Sequence, residues 1–186
     1  MKTKLFLLSM CLVAASMFEG CKKGEDDPGI SFRCRKGRVA GEWKMVDLKS
    51  TYTDASGIYT TTSNGATYTD TDPFGTSTGS WTWDATFEKD GTYKSTEVQD
   101  GVTTTTEGLW NFTGGVGDLK KKSQITFYDT KYTSPTSTYT YSGNYVDYAM
   151  DLKELRNKKM VWYYKVTSTS PTGTDTYETT VTFEAK

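Results

Sequence analysis

The chain has 186 residues, and its 22 basic and 23 acidic side chains leave a net charge of −1. That balance argues against general nucleic-acid binding, which needs a basic surface. There is no His, which excludes a Ser-His-Asp triad, a Cys-His dyad, a His zinc site and a His-ligated haem, and nothing in the residues calls for a cofactor or a metal.

Lys2 and Lys4 precede an apolar run from Leu5 to Ala15. The run is too short for a membrane span of roughly 20 residues and fits the apolar region of a secretory signal. Residues 1–20 are therefore expected to be a signal peptide. Phe18-Glu19-Gly20-Cys21 resembles a bacterial lipobox, which implies a lipid on Cys21. Ordinary cleavage near Ala14-Ala15-Ser16, leaving a soluble secreted protein, is the other reading. Residues 21–38 mix charge, Gly and Pro with few apolar side chains, the composition of a flexible tether. Several acyl chains, at about 0.8 kcal/mol per buried methylene, would hold such a tether on a membrane. The expected location is the outer membrane, facing the periplasm or the surface. Glu25-Asp26-Asp27 resembles the acidic export tag of surface lipoproteins in Bacteroidetes. Arg33, Arg35, Lys36 and Arg38 read as a solvated tether or as a cluster resting on phosphate head groups. Cys11 leaves with the signal, so Cys34 has no internal disulfide partner. It reads as an inert tether residue or as a cross-link between two copies.

From residue 39 on there are 14 basic against 19 acidic groups, and the pattern is strand after strand. Glu42–Thr53 opens the domain. Ile58–Thr62 and Ala66–Asp70 flank Asn64-Gly65, a hairpin signal. Trp81, Trp83, Ala85 and Phe87 alternate with polar residues, the period of a half-buried strand. Lys89-Asp90-Gly91 reads as a three-residue hairpin loop that sets Phe87 opposite Tyr93. Gln99-Asp100-Gly101 reads as a second one, joining Tyr93–Val98 to Val102–Phe112. Ser123–Asp129 and Tyr145–Leu155 follow, the latter with Val146, Tyr148, Met150 and Leu152 on one side. Asn157-Lys158 turns the chain into a strand carrying Met160, Trp162, Tyr164 and Val166 on one face. A turn at Ser170-Pro171-Thr172-Gly173 leads to the last strand, with Val181 and Phe183. About eight to ten strands joined by short turns predict an all-β, antiparallel up-and-down barrel or a sandwich. All five Trp and all thirteen Tyr lie in this region, beside only five Leu, so the interior must be built from aromatic rings. The 34 Thr of the chain suit strands because β-branched side chains pack on a pleated surface. Thr103–Thr106 and Tyr132–Thr140 are expected on outer faces or in loops.

Gly41-Glu42-Trp43, the phrase from Phe87 to Tyr93, Gly108-Leu109-Trp110, Leu152 to Leu155, Lys159 to Trp162 and the close from Val181 to Lys186 occur in an order similar to the lipocalin-like domains of Bacteroidetes lipoproteins. The tether phrase from Ser31 to Arg38 resembles theirs as well. The resemblance covers residues 39–186 and implies an antiparallel barrel with a cup at one end. It also implies that Trp43 packs at the closed base. No Arg follows Arg156, so the Arg that covers this Trp in lipocalins has no counterpart.

Four features bear on chemistry. Trp83, Phe87, Tyr93, Trp110, Phe127, Tyr148 and Trp162 either line a pocket for a small apolar or amphipathic ligand or fill the core. Glu97 and Glu107 fall together on the face of Phe87 and Tyr93 if the second loop has three residues, which would put a carboxylate pair inside; a slip of one residue sends them to solvent. Gly114-Gly115-Val116-Gly117 ahead of Asp118 and Lys120-Lys121-Lys122 is a phosphate-cradle composition without the strand-to-helix switch that such a site needs, and reads as a mobile loop. Asp70, Asp72 and Asp54 are too few for a Ca²⁺ site. The expected function is non-enzymatic. It is either ligand binding inside a membrane-anchored barrel, or a filled barrel that meets an unknown protein partner through its outer surface.

Overall fold

The computed structural model describes residues 34–114, 123–141, 148–171 and 173–186. The signal segment, Cys21, the glycine-and-lysine loop from residue 115 to 122 and Val146 lie outside the described residues. A short helix, α1 (Arg35–Val39), leads into β1 (Gly41–Asp54), β2 (Gly57–Ser63), β3 (Thr67–Asp72), β4 (Gly75–Phe87), β5 (Thr92–Gln99) and β6 (Val102–Gly114). Then come β7 (Ser123–Thr133), β8 (Thr138–Thr140), β9 (Tyr148–Leu155), β10 (Lys159–Ser170) and β11 (Gly173–Ala185). The sheet order is β6-β5-β4-β3-β2-β1-β11-β10-β9-β7-β8, every pairing is antiparallel, and β6 also pairs with β7. That pairing closes ten strands into a barrel, and β8 pairs with the upper end of β7 on the edge that β9 takes lower down.

The alternation read from the sequence decides what points inward. Trp83, Ala85 and Phe87 of β4 share a face with Tyr93 of β5, because Phe87 pairs with Tyr93 and Ala85 with Ser95. Trp110 pairs with Phe127 and Phe112 with Ile125 across β6 and β7. Trp162 pairs with Val181 and Met160 with Phe183 across β10 and β11. The expected three-residue loop at Lys89-Asp90-Gly91 forms, with Gly91 in the left-handed region at φ 102°. The Asp90 carboxylate accepts from the Thr92 backbone N–H and hydroxyl at 2.8 Å each.

The ring changes size along its axis. At the base, Gly41–Lys44 of β1 pair directly with Asp84–Phe87 of β4. Above them the β2–β3 hairpin fits between the same two strands. The ring therefore has eight strands at the base and widens above it by the two strands of the hairpin. The switch falls at a β-bulge between Met45 and Asp47. The hairpin turn sits on this bulge: a Cβ on Gly65 would lie 2.3 Å from the Met45 carbonyl oxygen. An eight-strand ring is just wide enough for side chains to fill, and added strands increase the diameter.

The base is sealed by residues expected in the tether. Arg38 is 1% exposed, and its Nη1 donates to the Leu155 carbonyl at 2.6 Å. Arg35 lies over the Phe112 ring at 4.8 Å, and Lys36 lies 5.8 Å from the Trp110 ring. Aromatic faces and a buried carbonyl hold these cations against the barrel, so Arg35, Lys36 and Arg38 at the end of the expected tether belong to the domain, while Arg33 lies outside the described residues. Cys34 is exposed and free, and its Sγ accepts from the Gly37 backbone N–H at the start of α1.

Candidate functional site

The seven rings expected to line a pocket divide into two groups. Phe87, Tyr93, Trp110, Phe127 and Trp162 are each at most 4% exposed. Phe127 lies 6.1 Å from Phe87, 5.2 Å from Tyr93 and 5.1 Å from Trp162 between ring centroids. Phe87 also meets Trp110 and Trp162, and Trp162 meets Phe183 at 4.5 Å. Rings from opposite walls thus touch across the axis and plug the lower barrel. Trp83 and Tyr148 are half-buried on top of this plug, Trp83 against Trp162 and Tyr148 stacked on Phe127. Trp43 lies at the base, 1% exposed, and its indole N–H donates to the Val39 carbonyl at 2.7 Å.

Above the plug the inward face changes character. Pairing puts Glu97 opposite Trp83 and Thr104, and Gln99 opposite Trp81 and Val102. Glu97, Gln99, Asp100, Val102, Thr104 and Tyr132 line a cleft of about 420 Å³. Burial pushes the Glu97 carboxyl above the usual carboxylate range. The Trp81 indole holds that rise back without closing a hydrogen bond of ordinary geometry. The indole N–H groups of Trp81 and Trp83 and one carboxylate oxygen of Asp70 are buried without a partner. On the neighbouring wall the Tyr68 hydroxyl donates to Asp100 at 2.9 Å, and the Ser80 backbone N–H donates to the same carboxylate at 2.8 Å. These bonds hold the Asp100 carboxyl below its usual range and raise the Tyr68 hydroxyl. The β5–β6 turn is thereby fastened to the edge of β4.

The carboxylate pair does not form. Asp100 and Gly101 make a two-residue turn with φ 50° and 80°, so that Gln99 pairs with Val102. Relative to a three-residue loop, β6 slips by one position. Glu107 then pairs with Lys94 on the outer surface, 3.3 Å from its ammonium and 3.9 Å from that of Lys131. Glu97 and Glu107 lie on opposite faces of the wall. Asp54 and Asp72 instead accept from backbone N–H groups of the turns that follow them. Among the described residues no group of three or more His, Cys, Asp or Glu side chains is placed to hold a metal ion.

The outer surface is organised by ion pairs and tyrosines. The Tyr163 hydroxyl donates to Glu178 at 3.0 Å, and the Lys153 ammonium sits 3.7 Å from its ring. Tyr139 and Tyr141 are 55% and 46% exposed, but Tyr139 pairs with Tyr132 of the cleft wall, and Tyr164 is half-buried on the inward face of β10. Sequence reasoning did not single out Trp81, Tyr68 or Asp100. Trp81 was signalled by sharing the period-two face of Trp83, and Tyr68 by the Asn64-Gly65 hairpin. The role of Asp100 depends on contacts 20 and 32 residues away.

No family model, no curated protein and no solved structure matches this chain.

Proposed function

We propose that this chain is a membrane-anchored lipoprotein whose lipocalin-like barrel binds a small apolar or amphipathic molecule above the aromatic plug. One observation carries the reading. Two indole N–H groups and a carboxylate oxygen are buried without partners in the wall of an aromatic interior that holds a cleft of about 420 Å³. Buried polar atoms normally have partners, and ligand sites are concave, largely apolar and furnished with a few such groups. The plug gives the site a rigid floor in Trp83 and Tyr148. With Glu97 and Glu107 on opposite faces, the reading is non-enzymatic.

The lipid anchor rests on Cys21 and the apolar run before it. Twelve residues separate Cys21 from Cys34, a reach of roughly 40 Å when extended. The chain enters the domain through α1 at the base, so an anchored barrel opens its wide end away from the bilayer. Two experiments test the proposal. Native mass spectrometry of the purified full chain is expected to show an added small molecule; protein that carries none and takes up none from a membrane extract would overturn ligand binding. Cys21→Ser is expected to move the protein out of the detergent phase, and unchanged partition would refute the anchor.

A filled barrel that acts through its surface is the second reading. Leu109 and Tyr128 favour it, paired on the outer face of β6 and β7 with Leu109 49% exposed, because aromatic side chains are enriched at protein interfaces. Substitution of both by Ser would abolish partner capture under that reading and leave small-molecule uptake intact under the first.

A further inference from the structure

We infer that the molecule bound above the plug is an organic cation, an ammonium or guanidinium group carried on an apolar body; this rests on the ligand-binding reading above. The strand register sorts charge between the two faces of the wall. Every Lys on a described strand falls on the outer face. Lys94 and Lys131 meet Glu107, Lys159 meets Glu154, and Lys165 meets Glu178 there. No Lys or Arg occupies an inward position of any described strand. The inward positions above the plug hold acids instead. Glu97 shares a face with Trp83, Asp70 with Ser77 and Thr61, and Asp175 with Ser168. Among the described residues no ion pair reaches Glu97 or Asp70.

The interior thus combines carboxylates of one sign with aromatic faces. Trp81 meets Tyr68 edge-on at 6.5 Å, and Trp83 continues the same row towards the floor. A cation is the ligand charge that gains from both groups at once, by Coulomb attraction to a carboxylate and by attraction to ring faces. An anion would meet like charge, and a neutral molecule would leave the half-buried Glu97 carboxylate uncompensated. Burial raises the Glu97 carboxyl, and a bound cation would lower it again. The apolar body of the ligand would rest on Trp83 and Tyr148.

Matched probes test this on the full chain near neutral pH, read by tryptophan fluorescence and titration calorimetry. The probes are 2-phenylethylammonium and octylammonium, the neutral 2-phenylethanol and octanol, and the anionic 3-phenylpropionate and octanoate. The cations are expected to bind about ten-fold or more tightly than the alcohols, with the anions weakest and added salt narrowing the gap. Glu97→Gln, which removes the charge and keeps the shape, is expected to lower cation affinity by a larger factor than alcohol affinity. Equal affinity for cations and alcohols, or preference for the anions, would overturn the inference and leave the pocket standing. Failure of all six probes to bind would overturn both.

Discussion

Glu97 faces inward opposite Trp83, and its carboxyl is raised because the barrel wall removes water from it. The linkage to stability follows from the direction of that shift. Between the ordinary carboxylate range and the raised folded value, the folded chain keeps a proton that the unfolded chain has released. Stability from this group therefore falls as pH rises through that window. Glu97→Gln removes the contribution. The variant is expected to melt at a higher temperature than the natural chain near neutral pH, and the two should converge in acid below about pH 4, where both chain states are protonated. Melting curves at the two pH values check it. Glu107 differs only by lying on the other face. Its two lysines are exposed partners in water, worth roughly 0–1 kcal/mol, and Glu107→Gln is expected to leave the melting temperature nearly unchanged.

The β2–β3 hairpin and the β1 bulge set the shape of the site. Without the bulge between Met45 and Asp47, β1 would stay against β4 along its length and the ring would remain eight strands wide. Gly65 lets the turn approach, with φ 82° and no Cβ to strike the Met45 carbonyl. Gly101 has nearly the same φ, 80°, but a Cβ there would meet nothing within 4 Å. Gly65→Ala therefore adds overpacking against backbone, typically about 1–3 kcal/mol, to the left-handed strain that Gly101→Ala alone carries. Urea unfolding is expected to rank the variants in that order, and equal midpoints would contradict the seating of the hairpin on the bulge.

The whole barrel is graded from a packed base to a lightly packed upper end. At the base, rings touch across the axis and α1 seals the end with Arg38 and Val39. Higher up, β10 beyond Tyr163 pairs with β11 alone among the described residues, and Val166 and Tyr177 are 45% and 38% exposed. Local opening is easiest where few apolar contacts resist it. Native-state hydrogen exchange is expected to show the slowest amides in the base halves of β1, β4, β10 and β11. Exchange should be faster in Val166–Ser170 and Thr174–Tyr177. An added ligand is expected to slow exchange in β4 and β5 above Trp83, where the site lies.

Much of this was legible in the residues. Alternation of Trp81, Trp83, Ala85 and Phe87 with polar partners fixes a strand and its buried face, because side-chain period in a strand is a local property. Lys89-Asp90-Gly91 likewise fixes its own hairpin and the Phe87–Tyr93 pair, since Gly91 supplies the left-handed residue. Tertiary structure decided the rest. Whether Glu107 points in or out depended on one residue of turn length at Asp100-Gly101, and a slip of one reverses a whole strand. Arg38 belongs to the domain because Leu155, 117 residues away, offers it a carbonyl; a helix as short as α1 has no stability of its own. The widening above the plug needs β1, β2, β3 and β4 side by side, and no local pattern encodes a contact between Gly65 and Met45. The sequence by itself determined which residues form strands and which side of each is apolar. Closure of the sheet alone decided that the rings fill the base and that acids face the open half, because which residues meet across an axis is a property of the closed ring.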